Sequence, residues 1–214
     1  MNETTAGINS HQRRWEDLAA EWEALLSTEP KLRIRDAAAR LGASEVELLA
    51  TRCGESVRRL ECDLPGLFDG FTRWGRTMAL TRNEYAVHER KGPYQNVSFS
   101  GPFGLVLGPD IDLRIFPAQW KSAFAVESAG RDGTILRSIQ FFNGAGDAVH
   151  KVYALDESRL DQYEALVSKY LSRDQSRGER VERSGANAGA QSTGEPSDIP
   201  GFQAAWLALQ DTHD

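Results

Sequence analysis

The sequence predicts an α+β fold in which a helical N-terminal third precedes an antiparallel β-sheet meander flanked by helices. Three observations support this class. Apolar residues recur every three or four positions up to about residue 75, which is the period of an amphipathic helix. Short β-branched or aromatic runs separated by Gly, Pro, Asn and Asp then follow, as expected for antiparallel strands joined by turns. A last helical stripe covers residues 158–171.

The helices of the N-terminal third have recognisable ends. The first covers residues 13–26, and Pro30 terminates it. Residues 33–54 predict two short helices around a turn at Gly42, and a third short helix is predicted over residues 64–75. Ser44 followed by Glu47 is a capping-box pattern, so it marks the start of the second of the paired helices.

The strands are predicted from seven runs, which in chain order are TMALTRNEYAVHE, QNVSFSG, FGLVLG, IDLRIF, SAFAVESA, TILRSIQFFN and AVHKVYAL. NGAGD between the last two runs predicts a hairpin connection, and RKGPY and AGRDG are predicted turns.

The chain divides into three parts. Residues 1–171 are expected to form one α+β domain. Residues 172–201 are rich in Ser, Gly, Arg and Glu and almost lack large apolar residues, so they predict a flexible linker. Residues 202–214 have the start of an amphipathic helix and are expected to be the first turns of a second, truncated domain.

Composition excludes several classes of function. The chain has 214 residues, of which 40% are hydrophobic, and a formal net charge of −6, which argues against nucleic acid or an anionic membrane as the main partner. Cys53 and Cys62 lack metal-ligand spacing. No secretory signal or membrane-spanning run is found, so a cytoplasmic location is expected. Nucleophile, Walker, HExxH and dinucleotide-binding motifs are missing from the sequence, and no catalytic residue is predicted.

Residues 34–53 allow two interpretations. Their small residues, glycine turn and apolar anchors suit a DNA-binding helix-turn-helix. However, the second helix begins with Glu45 and Glu47, which would place negative charge against DNA phosphates. A helical hairpin packed on a sheet is therefore the favoured interpretation.

The run IDLRIF places Asp112, Arg114 and Phe116 on one face of a strand and Leu113 and Ile115 on the other. One face is expected to be core. The other presents a guanidinium beside a carboxylate and an aromatic ring, which suits a surface ion pair or a pocket for a flat anionic ligand. Residue chemistry alone favours the ion pair.

Five stretches together resemble, in this order, the hemin-degrading-factor family of HemS/HmuS type, the cytoplasmic heme-handling proteins of Gram-negative heme-uptake systems: IRDAAARLGASEVELLA, ALTRNEYAVHERKGPY, GLVLGPDIDLRIFPAQW, QFFNGAGDAVHKVY and AWLALQDTHD. The resemblance implies a two-repeat protein that binds b-type heme, of which this chain holds the first repeat and the start of the second. It further implies His213 as the axial iron ligand, Arg114 on the distal side and Phe116 as a pocket wall.

Two functions remain open from this resemblance: a carrier that delivers imported heme to a heme oxygenase, or an enzyme that degrades heme itself. The truncated second repeat predicts weak hemin binding shared among His88, His150 and His213, although the two strand histidines His88 and His150 are more simply interpreted as structural or solvated. It also predicts self-association of the first repeat. A DNA-binding regulator is the most distant alternative.

Overall fold

The computed structural model describes residues 3–83, 85–130, 133–155, 159–182 and 198–208, with side chains of the first helix described from residue 14 onward. The chain forms two compact units, Met1–Glu182 and Arg183–Asp214. In the described parts the helices are α1 (Glu3–Thr28), α2 (Ile34–Arg40), α3 (Glu45–Ala50), α4 (Leu64–Phe71), α5 (Leu160–Lys169) and α6 (Ile199–Leu207).

The strands are β1 (Val57–Leu60), β2 (Thr77–Arg82), β3 (Val87–Gly92), β4 (Ser98–Ser100), β5 (Phe103–Leu107), β6 (Asp112–Ile115), β7 (Ser122–Ala129), β8 (Ile135–Phe142) and β9 (Ala148–Ala154). They form two antiparallel sheets: a six-stranded sheet in the order β1-β7-β8-β9-β2-β3, and a three-stranded sheet in the order β4-β5-β6. The α+β class with an antiparallel sheet flanked by helices is confirmed.

The strand predictions differ from the structure in three places. The run at residues 77–89 is a hairpin of β2 and the first half of β3, with Asn83 Oδ1 accepting the backbone N–H groups of Tyr85 and Ala86 at the turn. RKG of the predicted turn RKGPY lies inside β3. β1 is a strand that the sequence does not predict, because VRRL is short and carries two arginines.

The N-terminal helices pack as a layer on one face of the six-stranded sheet. The predicted capping box is present: Glu47 N–H donates to Ser44 Oγ, and Ser44 N–H donates to Glu47 Oε2 at 2.9 Å. All six residues of α3 are buried. Val46 and Leu49 pack with residues of β1, β7, β8 and β9, and Leu48 packs with α1 and α2.

The opposite face of the six-stranded sheet carries the main core. α4, α5 and the inner side of the three-stranded sheet pack on it. Phe68 lies at the centre of an aromatic cluster, with its ring centroid 5.1 Å from that of Phe71, 5.8 Å from Tyr94 and 5.7 Å from Phe141. Edge-to-face and tilted arrangements of this kind add stability beyond the burial of apolar area.

Residues 172–182, which we call the strap, belong to the first unit and lie against strand β1. The backbone N–H of Arg59 in β1 donates to Gln175 Oε1, and Gln175 Nε2 donates back to the Arg59 carbonyl. The Arg59 guanidinium pairs with Glu179 and donates to the Gly178 carbonyl at 2.7 Å. The sequence predicts a linker starting at 172, but these polar contacts hold its first eleven residues on the domain, and Val181 packs against the cluster that contains Val46 and Leu49.

The second unit is described over residues 198–208. Asp198 caps α6 by accepting the Gly201 N–H at 2.8 Å. The helix exposes Phe202, Trp206 and Leu207. That residues 202–214 begin a second repeat stays a prediction.

Candidate functional site

The three-stranded sheet has one face in the core and one face toward solvent. Val106 of β5 and Ile115 of β6 are fully buried in the main core, and Phe99 and Leu113 pack against it. Gly104 lies between these groups, and a Cβ there would come within 2.4 Å of the Phe99 ring. Because side chains alternate along a strand, this packing fixes which residues of β5 and β6 point outward.

We call the solvent-facing side the outer face. Phe103, Leu105, Leu107, Arg114 and Phe116 lie on it, together with Asp112. Leu105 pairs directly with Arg114 across the two strands, and the next step of the same register sets Phe103 beside Phe116. Phe103, Leu107 and Phe116 are 43%, 46% and 51% exposed. The face therefore places one guanidinium among four partly or largely exposed apolar side chains.

Arg114 has no ion pair or hydrogen bond within the part of the chain that the structure describes. The ion pair that residue chemistry favoured is therefore not found there. Asp112 lies on the same face, but it is two residues away along one strand, which separates the two side chains by about 7 Å at their base. An exposed guanidinium with all its donors free can bind a carboxylate or an anionic ligand that arrives from solution.

His150 is unsuited to bind iron. It is 1% exposed, Nδ1 lies 2.8 Å from Thr81 Oγ1 and Nε2 lies 2.7 Å from the Tyr94 hydroxyl. Burial lowers the pKa of His150 to about 3, and burial also raises the pKa of Tyr94. The prediction that His150 takes part in hemin binding is wrong, because both ring nitrogens are already hydrogen-bonded inside the core.

The other three histidines differ in whether the structure describes their side chains. His88 is exposed on β3, so it is the accessible strand histidine of the pair. His213, the predicted axial ligand, lies outside the described residues, and so does the side chain of His11. The structure therefore places Arg114 and Phe116 together on one face, and the role of His213 stays a prediction.

The helix-turn-helix interpretation does not agree with the fold. A recognition helix must expose one face to the major groove. Helix α3 exposes none: Glu45 and Glu47 are 5% and 3% exposed, and Glu45 is bonded to Arg82 and Lys151. The favoured alternative, a helical hairpin packed on a sheet, is what the structure shows.

Sequence reasoning missed three members of the outer face: Phe103, Leu105 and Leu107. FGLVLG is predicted as a strand, but the sequence does not assign its odd-numbered residues to the face of Arg114. Their alternation is visible, whereas the register between β5 and β6 depends on the connection at residues 108–111 and on core packing.

Metal-binding and membrane-spanning features are both lacking from the described ranges. No group of three or more His, Cys, Asp or Glu side chains there could hold a metal ion. None of the described helices has the length and apolar character needed to cross a membrane.

Comparison with known proteins identifies what the chain resembles. Residues 42–170 match the family model described as Haemin-degrading HemS.ChuX domain. The hemin transport protein HmuS of Yersinia pestis is 42% identical over 138 residues, which are 64% of this chain and 40% of HmuS. Holo-PhuS, a heme-binding protein from Pseudomonas aeruginosa, superposes with a TM-score of 0.76 at 40% identity, over 93% of this chain and 57% of PhuS.

A second solved structure, of ChuS, described as an Escherichia coli heme oxygenase, matches with a TM-score of 0.69 at 28% identity, over 92% of this chain and 56% of ChuS. The chain thus spans 40% of the length of HmuS and little more than half the lengths of PhuS and ChuS.

Proposed function

Because this chain belongs to the Haemin-degrading HemS.ChuX domain family, we propose that it is a cytoplasmic heme-binding protein of a bacterial heme-uptake system and that heme binds on the outer face. The observation that carries this proposal is the unpaired Arg114 among Phe103, Leu105, Leu107 and Phe116. Heme combines a broad apolar ring with two carboxylates and an iron centre, and the outer face offers apolar area and one strong cationic donor.

Each residue of the outer face would contact a different part of the heme. Phe116 and Phe103 provide aromatic surface, whose burial under a flat ligand contributes roughly 25 cal/mol per Å². Arg114 donates hydrogen bonds either to a propionate or to the oxygen ligand on the distal side of the iron. His213 is the proposed axial ligand, and this assignment rests on the resemblance of the DTH sequence near the chain's end.

A hemin titration followed by the Soret band tests the outer face. Replacement Arg114→Ala removes the charged donor and is expected to weaken hemin binding about tenfold, because a hydrogen bond to a charged group contributes roughly 1.5–3 kcal/mol. Arg33→Ala is the matched control, since Arg33 is an exposed arginine at the start of α2. Equal affinities for the Arg114 and Arg33 variants would remove the outer face from the proposal.

The axial ligand needs its own variant. His213→Ala is expected to abolish any defined six-coordinate spectrum, whereas His88→Ala leaves it unchanged. If both substitutions weaken the spectrum equally, hemin is shared among surface histidines.

Carrier and enzyme remain two candidate functions. The carrier is expected to pass heme to a heme oxygenase, and HmuS is named a hemin transport protein. The enzyme is favoured by the similarity to ChuS, which is described as a heme oxygenase. Formation of verdoheme or biliverdin with a physiological reductant and catalase present supports the enzyme, and stable heme under these conditions supports the carrier.

Self-association is a further proposal for this chain. The outer face leaves Phe103, Leu107 and Phe116 exposed, and exposed apolar patches are typical of interaction sites. A second copy packed on this face would bury them in a symmetric contact. Sedimentation should then show a dimer that Phe116→Asp disrupts; a monomer at all concentrations would refute the idea.

A further inference from the structure

A cluster of three charged side chains joins helix α3 to strands β2 and β9, away from the outer face. Lys151 Nζ donates to Glu45 Oε1 at 2.6 Å, and the guanidinium of Arg82 pairs with Glu45 Oε2. Glu45 and Lys151 are buried, and the Arg82 side chain is 15% exposed. One carboxylate therefore serves two cations, so these three groups together carry one excess positive charge.

A cavity of about 420 Å³ adjoins this cluster, between α2 and the β8–β9 hairpin. Its polar lining residues are Arg35, Ser44, Glu45, Arg82, Asn83, Asn143 and Asp147.

Most of the hydrogen-bonding capacity left in this lining belongs to donors. Both oxygens of Glu45 are already bonded to cations. Asp147 is exposed, and one of its carboxylate oxygens accepts from Asn143. A guanidinium has five N–H donors, and the ion pair with Glu45 uses only some of those of Arg82. The other donors can bond to a ligand. The cavity thus suits an acceptor-rich, negatively charged ligand.

The excess positive charge lies at the wall of the cavity, where Arg82 is only partly exposed. Burying an unpaired charge is costly, so a protein must either neutralise the group or supply a counter-charge. Burial lowers the pKa of Lys151, Glu45 raises it and Arg82 lowers it again. Glu89, which lies on the same face of the sheet, is exposed and does not line the cavity. An anion in the cavity would balance the charge without loss of the Lys151 proton.

We propose that this cavity binds a small oxyanion, a phosphate or a carboxylate group, held between the guanidinium groups of Arg35 and Arg82. Arg35 is exposed on α2, and its Nη1 donates only weakly, at 3.4 Å, to the Asn83 carbonyl, so it can turn toward an anion. Arg82 is fixed by Glu45 and forms the rigid side of the site. The cavity is lined by none of the outer-face residues, so this proposal is independent of heme binding.

The test is the melting temperature of the full chain during titration with inorganic phosphate and, in parallel, with acetate, both at constant ionic strength. A saturable rise with either anion is expected, and the anion that binds more tightly identifies the class of oxyanion. Arg35→Gln should weaken that binding about tenfold, since it removes a charge-assisted donor. Asp147→Asn should strengthen binding, because it removes the competing negative charge at the rim.

Arg33→Gln is the matched control, because it removes the same charge from the start of the same helix but Arg33 does not line the cavity. Retained affinity in this variant, with loss in Arg35→Gln, supports a localised site. The proposal is overturned if neither anion gives a saturable shift, or if the Arg33 and Arg35 variants lose affinity equally.

Discussion

The tripeptide Ala-Val-His occurs twice in this chain, and its two copies have opposite environments. His88 of β3 and His150 of β9 both pair with Thr81 of β2, one from each side, so they lie in one row on one face of the sheet. His88 is on the edge strand and exposed, whereas His150 is fully buried under Tyr94 and Phe68. The difference shows that the position of a strand in its sheet, and not the local sequence, decides whether a histidine is available for chemistry.

The largest expected difference between the two histidines is in stability. His150→Ala leaves a cavity among aromatic rings and removes the partners of Thr81 and Tyr94, so the free energy of unfolding should fall by about 3 kcal/mol. His88→Ala should change it by no more than about 0.5 kcal/mol. Urea denaturation of the two variants measures this contrast, and similar losses would show that the buried position of His150 is incorrect.

The second difference between the two histidines is in how the stability of the fold responds to acid. The pKa of His150 is lowered in the fold from an ordinary value of 6.5 to about 3, because burial disfavours the imidazolium. The unfolded chain therefore takes up the proton first, and stability falls as the pH drops through the window from 6.5 to 3. The loss should reach about 2 kcal/mol between roughly pH 6.5 and pH 5.

Urea titrations across this range measure the slope. The variant His150→Gln cannot be protonated, so it should lose this part of the pH dependence while His88→Gln keeps it. A slope that is the same in both variants would mean that other groups dominate.

A smaller effect is expected from the residue between the two histidines. Thr81→Val keeps the shape of the side chain but removes the hydroxyl bonded to His150 Nδ1. The free energy of unfolding should fall by about 1 kcal/mol. The double variant Thr81→Val with His150→Ala should be less destabilised than the sum of the two single changes, since the partners share one bond. Strict additivity would argue against that hydrogen bond.

The two histidines should also differ in their accessibility to a chemical reagent in the native protein. Carbethoxylation by diethylpyrocarbonate should modify His88 rapidly, and His150 only when the domain opens, because exchange of buried groups follows opening equilibria. Mass spectrometry of peptides after timed exposure resolves the two sites. Modification of both at one rate in native buffer would contradict the assigned burial.

The helical layer was the most predictable part of the fold, because its signals are local. Ser44 and Glu47 form a capping box at the predicted place, and Gly42 occupies positive φ at the predicted turn. Pairing of β1 with β7, or the separation of β4–β6 into a second sheet, depends on residues far apart in sequence. The strap was missed because composition describes its lack of apolar residues but not the partners that Arg59 and Gln175 offer each other.

The candidate site shows the same limit. Alternation within IDLRIF correctly set Arg114 and Phe116 on the face opposite Ile115. The outer-face residues that were not predicted, such as Leu105, lie on the neighbouring strand β5. Assigning them to this face requires the register between β5 and β6. A single strand therefore predicts which side of a site its own residues occupy, but not the surface that completes it.

The strap also covers an edge of the six-stranded sheet, and this affects whether the domain aggregates at high concentration. A sheet edge with free N–H and C=O groups invites pairing with another chain and can lead to aggregation. At the β1 edge the strap occupies these groups, with the Gln175 amide bonded to the Arg59 backbone in the manner of an added strand. At the β3 edge the row Glu89, Arg90 and Lys91 places charges where a second chain would have to stack. Removing residue 172 and all residues after it should thus expose the β1 edge. The shortened domain is expected to form fibrils or to precipitate.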